Sequence, residues 1–534
     1  MATRVRQATG SDAGLWVDLA KLCLGNDYLD RRLYDLEWAA AQLAEGAGGE
    51  TWLAEEDGAC QASISFLPPL DARQNTVANL GRNLFRPESF SSGAVAALLK
   101  EITAIGLARA QAVIARVEAA DLAQQNLFES EGYICTGFQP CKHLHRGRRN
   151  ILFYACLGQF EPRGPFSASA SLPQVDGLAR LVRARLGLPL LAPVADSAAG
   201  LPLESDLEFR EGTAADLQRW LVEEAAGTLC SETSSGFHLG FGLMRIASGL
   251  PLRVLFATRA QKVIAALSFF PDEQDRCVRL IDAFALDDTA IGPLLGQAAQ
   301  FAKDHLRAAY VEVDMPISSP RLLKTAERLG FAPVAYLPGF ATRAAGAVDV
   351  VKMVKLHGPH APEQGELASQ ARTVAQIVER TFEDMKMGVA IIDLLRTLAV
   401  FQGLGDGELR RLAALFTQRL FRPGERVFNK DDSGCEAYIV LRGQVEIFLA
   451  EGAGPIAAVH QGEIFGELAF LDGAPRAAFA VASQPTILLV VQKSAFTDLA
   501  QREPHLGLVI LRNIAVEMSQ RLRQTNLAVA AAVE

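Results

Sequence analysis

The chain has 534 residues, 50% of them hydrophobic, with 52 Lys and Arg against 61 Asp and Glu for a formal net charge of −9. That length predicts several domains with buried cores, and the acidic balance, with no local run of basic residues, argues against a nucleic-acid partner. Charges interrupt every apolar stretch before membrane length, and the cysteines at 23, 60, 135, 141, 156, 230, 277 and 435 lack metal or redox spacing, so we expect a soluble cytoplasmic protein with reduced thiols, no metal site and no membrane partner.

Near the N-terminus, Val5-Arg6-Gln7-Ala8-Thr9-Gly10-Ser11-Asp12 aligns with Phe209-Arg210-Glu211-Gly212-Thr213-Ala214-Ala215-Asp216 at an offset of 204. Further on, Glu129-Ser130-Glu131-Gly132-Tyr133 aligns with Glu327-Arg328-Leu329-Gly330-Phe331 at an offset of 198, and Pro140 then matches Pro338. A period of about 200 residues is too long for a solenoid and indicates a duplicated domain.

Each copy opens with a strand ending at Thr-x-x-Asp, a pattern that caps the following helix through side-chain oxygens. In the first copy, strands are expected at 51–55 and 61–67, a long helix over 94–109, a strand at 112–117 and a helix over 122–130. The second copy predicts strands at 253–258, 263–269 and 278–286, a helix over 292–306, a strand at 309–314 and a helix over 320–329. This alternation gives an α/β fold with a mixed central sheet.

The element order and the terminal Glu-x-x-Gly-aromatic resemble the GNAT acetyltransferase fold, over a first domain at residues 1–157 and a second at 205–357. The resemblance implies an acetyl-CoA ligand, with its pyrophosphate cradled by backbone N–H groups at the start of the long helix. The residues at that place are Ser92, Gly93 and Ala94 in the first copy and Gly292 in the second. Both loops depart from the family pattern: the first offers one suitable glycine, while in the second Asp287 and Asp288 repel a pyrophosphate and Pro293 removes a donor. The tyrosine that commonly serves as general acid is replaced by Phe128 and Ala326, neither of which donates a proton.

Asp282, on the strand before the second loop, is the candidate general base, with a capping or surface carboxylate as the alternative. Glu312 and Asp314 share one strand face and read as a solvated edge. His143 and His145 read as surface histidines, and Ser231-Glu232-Thr233-Ser234-Ser235-Gly236 as a polar loop.

A linker at 158–204, rich in Pro and Ser around an amphipathic segment at 178–186, joins the two copies. Residues 358–388 read as a hinge followed by a helix carrying Val374, Ile377, Val378 and Phe382 on one stripe.

The last domain, 389–534, begins with helical apolar spacing from Leu394 to Phe401 and Leu404. Short strands follow, punctuated by glycines at 424, 434, 443, 452 and 462, as in a small jelly-roll-like β-roll, and a helix over 507–523 closes it. Within it lies Phe465-Gly466-Glu467-Leu468-Ala469-Phe470-Leu471-Asp472-Gly473-Ala474-Pro475-Arg476-Ala477-Ala478. An arginine among so many apolar neighbours is costly to bury unpaired, and a phosphate supplies a charge-assisted partner.

This run resembles the phosphate-binding cassette of the cyclic nucleotide-binding domain family. The resemblance implies that Gly466 lets the backbone approach the ligand, Glu467 accepts the ribose 2′-hydroxyl and Arg476 holds the exocyclic phosphate. Phe465, Leu468, Ala469, Pro475, Ala477 and Ala478 complete the implied site, and Ala477, where the family's cGMP binders carry Thr, points to cAMP. Two functions are expected: a cAMP-binding regulatory protein that acts on a protein partner through the GNAT-like pair, or a cAMP-gated N-acetyltransferase acting on an amine such as a protein lysine. In either case nucleotide binding is expected to act through the helix before the β-roll.

Overall fold

A computed structural model of the chain describes all residues except 1–2, 27–30, 45–48, 68–76, 145–146, 159–172, 192–199, 204–205, 226–228, 230–251, 274, 344–345, 359–364, 405, 414 and 534. The polar loop at 231–236, His145, Cys230 and the linker stretches 159–172, 192–199 and 204 lie outside the described residues. The chain divides into two units, Met1–Phe382 and Glu383–Glu534. The sequence copies expected as two domains both fall in the first.

The first copy runs β1 (Arg4–Gln7), α1 (Ala13–Leu24), α2 (Leu36–Leu43), β2 (Glu50–Glu56), β3 (Ala59–Leu67), β4 (Val77–Phe85), α3 (Glu88–Ser92), α4 (Ala94–Arg109), β5 (Ala112–Glu118), α5 (Leu122–Ser130), β6 (Ile134–Leu144) and β7 (Arg148–Leu157). After α6 (Pro173–Arg185), the second copy runs β8 (Glu208–Thr213), α7 (Ala214–Glu223), β9 (Arg253–Arg259), β10 (Lys262–Asp272), β11 (Cys277–Ala285), α8 (Ile291–Asp304), β12 (Tyr310–Pro316), α9 (Pro320–Arg328), β13 (Ala332–Arg343) and β14 (Gly346–Leu356). The Thr-x-x-Asp caps form as their chemistry requires: the backbone N–H of Thr213 donates to Asp216 at 2.9 Å and that of Thr9 to Asp12 at 2.8 Å.

The sequence reading misses β4. Its centre is Gly81 followed by Arg82, whose φ of 51° breaks the strand's alternation, so no period-2 pattern survives to be read.

All fourteen strands form one sheet in the order β1-β2-β3-β4-β5-β7-β6-β13-β14-β12-β11-β10-β9-β8. The order is a palindrome of the duplication, with the two copies joined where β6 meets β13 antiparallel at Gly137↔Ala335. That seam is tight: a Cβ on Gly137 would stand 2.2 Å from the Ala335 Cβ and 2.7 Å from the Val334 carbonyl, so only glycine lets the strands meet. Val77, Ile114, Phe153, Ala335, Leu337, Phe340 and Val350, drawn from both copies, form one buried cluster across it.

Within each copy one pair of strands is parallel. Pairing runs from Val77↔Ala112 to Leu80↔Ala115 between β4 and β5, and from Cys277↔Tyr310 to Leu280↔Val313 between β11 and β12. Both β4 and β11 continue past their last paired residue, to Phe85 and Ala285.

Helix α10 (Ser369–Thr397) is continuous where the sequence suggested a linker helix and then a separate one, because the glycine at 388 lowers helix propensity by only about 1 kcal/mol. Its start is buried in the first unit through Ala371, Val374, Ala375, Val378 and Phe382.

The second unit holds α11 (Asp406–Ala413), β15 (Thr417–Phe421), β16 (Arg426–Phe428), β17 (Glu436–Arg442), β18 (Val445–Phe448), β19 (Ala457–Val459), β20 (Ile464–Phe465), α12 (Glu467–Asp472), β21 (Phe479–Ala482), β22 (Thr486–Gln492), α13 (Lys493–Arg502) and α14 (Pro504–Val533). Two four-stranded sheets, β15-β22-β17-β20 and β16-β21-β18-β19, face each other as the expected β-roll. Side chains alternate along β22: Leu488 and Val490 fill the roll interior with Tyr438, Val445 and Phe465, while Leu489 and Val491 pack outward with Leu395, Phe401, Phe496, Leu506 and Ile510.

Candidate functional site

The cassette turns around Gly466, whose φ of 73° places it in the left-handed region open to glycine. Helix α12 begins at the next residue, with Ala469 and Phe470 buried beneath it, Glu467 half-buried and Leu468 exposed. A Cβ at 466 would meet Arg476 Nη1 at 2.8 Å and the Tyr438 ring at 3.1 Å.

Arg476 is the centre of the arrangement and is 2% exposed. Its Nη1 donates to the Gly466 carbonyl at 2.9 Å, and its Nη2 to the Glu436 carbonyl at 2.9 Å and the Glu436 carboxylate at 3.2 Å. The guanidinium lies over the Phe428 ring, 4.4 Å from its centroid, and 5.4 Å from that of Tyr438. Its backbone is pinned as well: Arg476 N–H donates to the Asp432 carbonyl at 3.0 Å, and Asp431 N–H to the Arg476 carbonyl at 2.8 Å. Arg476 Nε is buried and has no hydrogen-bond partner among the described residues. A buried cation with a donor left over is a built acceptor site for an anion.

Phe465 is buried and stacks on Tyr438 with centroids 5.1 Å apart, while Pro475 and Ala477 are exposed and Ala478 is half-buried. Glu436, Phe428 and Tyr438 are site residues that the sequence reading passed over. Glu436 and Tyr438 carried a signal, being two apart on β17 and so on one face. Phe428 did not, since its approach to Arg476 depends on the facing sheet. Burial raises the Tyr438 hydroxyl pKa above its ordinary value, with Glu436 adding to the rise.

The sequence over residues 418–503 matches the family model described as Cyclic nucleotide-binding domain. Residues 418–503 form a cyclic nucleotide-binding domain. The chain is 32% identical over 131 residues to the Cyclic AMP receptor protein of Thermus thermophilus, covering 24% of this chain and 59% of that protein. It is 31% identical over 123 residues to a cAMP-dependent protein kinase regulatory subunit of Colletotrichum orbiculare, covering 23% of this chain and 31% of that one. The chain therefore spans less than two thirds of the length of these relatives. Among solved structures, a cyclic nucleotide-binding domain from Methylobacillus flagellatus is 26% identical and covers 27% of this chain and 83% of its own, at a TM-score of 0.25.

Outside the cyclic nucleotide-binding domain, the candidate residues of the α/β copies are scattered. Asp282 is half-buried on β11, where its N–H donates to the Ser268 hydroxyl oxygen at 3.1 Å and its carboxylate accepts from that hydroxyl at 3.2 Å. Ser92 and Gly93 do not lie in an open loop: Ser92 ends α3, Gly93 turns in the left-handed region at φ 84°, and Ala94 starts α4. Gly292 is the second residue of α8 and is buried under the chain's own linker, where a Cβ would stand 2.0 Å from the Pro202 carbonyl oxygen.

Glu312 and Asp314 are not a solvated edge. They are 3% and 5% exposed on β12, which lies inside the continuous fourteen-stranded sheet. Glu312 pairs with Lys142 at 3.2 Å and Arg279 at 3.3 Å and accepts from Gln139 at 2.6 Å, while Asp314 pairs with Lys352 at 2.7 Å. Burial alone would raise the Glu312 carboxyl, but Lys142, Lys352 and Arg279 hold it well below the usual range, so it stays ionised and is a poor proton acceptor at neutral pH.

His143 belongs to the same cross-copy network and is not an ordinary surface histidine, since its Nδ1 lies 3.0 Å from Asp275. Burial opposes ionisation of Asp275, yet His143, Lys142 and Arg279 bring its pKa down to about 2. No group of metal-ligating side chains is present among the described residues, and no described helix is long and apolar enough to cross a membrane.

Proposed function

We propose that the chain is a cAMP-responsive regulatory protein whose tandem GNAT-like halves carry its output to a protein partner. One observation carries this reading: Arg476 is almost fully buried beside Gly466 with its Nε lacking an acceptor among the described residues. In this reading Arg476 takes the exocyclic phosphate, the first N–H groups of α12 assist it, and Glu467 takes the ribose hydroxyl. Tyr438, Phe465 and Phe428 then form the aromatic wall around the ligand. Two relatives whose names specify cAMP support the choice of nucleotide, as does Ala477 in place of a threonine.

A second reading, a cAMP-gated N-acetyltransferase, has one observation in its favour. Strands β4 and β11 both run on beyond their parallel pairing, the kind of opening that accommodates an extended ligand between strands. The first copy suits it better, since a Cβ at Gly93 meets nothing within 4 Å, whereas Gly292 is covered by Pro202. Asp282, on β11 of the second copy, would serve as the base only where that copy holds the ligand.

Calorimetric titration of one sample with cAMP, cGMP and acetyl-CoA separates the two. Binding of cAMP without acetyl-CoA is the expected outcome. Tight acetyl-CoA binding would favour the enzyme, and preference for cGMP would overturn the choice of nucleotide.

A further inference from the structure

The duplication extends beyond the two α/β folds. In α6, Gln174-Val175, Leu178-Ala179 and Leu181-Val182 recur 196 positions later in α10 as Gln370-Ala371, Val374-Ala375 and Ile377-Val378. The matched Val175, Leu178, Ala179 and Val182 are all buried, as are Ala371, Val374, Ala375 and Val378. Each copy therefore ends in the same helix, and α10 is both the tail of the second copy and the segment that leads into the cyclic nucleotide-binding domain.

Each tail helix makes polar contacts with the other copy. Helix α6 follows the first copy and lies against its β6, but it also reaches the second: it packs on β13, Gln174 Nε2 donates to Glu327 of α9 at 2.6 Å, and Arg183, 1% exposed, pairs with Asp349 of β14 at 2.5 Å. Helix α10 follows the second copy but docks on the first. Glu129 of α5 accepts the backbone N–H of Gln370 at 3.2 Å and of Ala371 at 3.3 Å, and Gln125 accepts that of Ala368 at 2.9 Å. The Gln370 side chain also accepts from the Cys135 N–H of β6 at 3.2 Å. Glu129 and Glu327 are the equivalent glutamates of the two Glu-x-x-Gly-aromatic motifs, so equivalent residues meet twice with the copies crossed, through the backbone N–H of Gln370 in one case and the side-chain amide of Gln174 in the other.

Glu129 is fitted to hold this dock. Its carboxylate sits on the N–H groups at the start of α10 that have no intrahelical acceptor, where negative charge is favoured, and the Tyr154 hydroxyl donates to it at 3.2 Å.

We propose that the nucleotide signal is delivered to the first α/β copy, the one distant in sequence, through the dock of α10 on α5, with Glu129 as the coupling residue. The proposal rests on the regulatory reading above and adds its destination. A shift of α10 on nucleotide binding changes the capping of α10 by Glu129 and Gln125 and the Cys135 contact directly, all on α5 and β6, and reaches α9 through α6, whose Arg185 donates to the Gln370 carbonyl at 3.1 Å.

Hydrogen exchange of the full chain with and without saturating cAMP tests it, with binding followed separately by calorimetry. Exchange in peptides over 122–135 is expected to change by about fivefold or more, the low end of allosteric coupling, while peptides over 320–331 stay constant. Glu129→Gln and Gln370→Ala should each still bind cAMP but lose most of that change. If cAMP binds to the wild type and 122–135 does not respond, or 320–331 responds instead, the destination is wrong while the regulatory reading survives. If cAMP does not bind, the regulatory reading fails and the proposal fails with it.

Discussion

Arg476 and Glu436 are joined twice, through the Glu436 carbonyl at 2.9 Å and its carboxylate at 3.2 Å, and both bonds use the same guanidinium nitrogen. The arginine is thereby held in place before any ligand arrives, and preorganisation of this kind lowers the ordering cost of binding.

The carboxylate bond is the one a substitution can remove. Glu436→Ala is expected to weaken cAMP binding about tenfold, the equivalent of one charge-assisted hydrogen bond of about 1.5 kcal/mol. Fluorescence competition with a labelled cyclic nucleotide measures this. Unchanged or tighter binding would mean that the carboxylate competes with the phosphate instead of orienting the arginine.

The seam of the fourteen-stranded sheet is set by Gly137. Its absent Cβ leaves the room that Ala335 occupies, so Gly137→Ala is expected to destabilise the first unit by about 1–3 kcal/mol as overpacking does. Urea denaturation followed by the fluorescence of Trp16, Trp38, Trp52 and Trp220, all in that unit, should show an earlier transition. An unchanged midpoint would mean that β6 and β13 do not meet at this register.

How far the sequence can be read is clear from these two places. The cassette was legible because its chemistry is local: Gly466, Glu467 and Arg476 lie within eleven consecutive residues. The duplication and most of its strands and helices were legible from period and caps. The union of the copies into one sheet was not, because it rests on an approach between Gly137 and Ala335, which stand far apart in sequence and carry no polar signal. Glu312 was misread for the same reason: its partners Lys142 and Arg279 come from strands on both sides of that union. The Gln174 and Gln370 helices lie in stretches that read as linkers, where a repeat carries no motif to mark it.

Glu312 is buried with two cations. Glu312→Ala leaves Lys142 and Arg279 without their shared carboxylate and is expected to cost about 3–5 kcal/mol, as for other buried pairs broken on one side. Thermal unfolding should show the loss. A change below about 1 kcal/mol, typical of surface pairs, would mean that water reaches the cluster.

His357, just after β14, carries a pH dependence. Burial, with Lys355 and Lys303 nearby, lowers its pKa from 6.5 to about 4. The folded state therefore binds this proton less readily than the unfolded chain, so stability is unaffected above pH 6.5 and falls as pH drops from there toward 4. His357→Gln should reduce the difference between denaturation midpoints at pH 7 and pH 5. An equal difference in both proteins would mean that the imidazole is accessible to protons in the fold.

Arg476 is the proposed anion-binding residue of the cyclic nucleotide site. Equilibrium dialysis of labelled cAMP against the intact chain and its Arg476→Ala variant tests it most directly. One cAMP per wild-type chain at micromolar affinity is predicted, with the variant weaker by about a hundredfold or more, the loss of about 3 kcal/mol from charge-assisted bonds. Equal affinity in the two proteins, or no cAMP bound by the wild type, would contradict it.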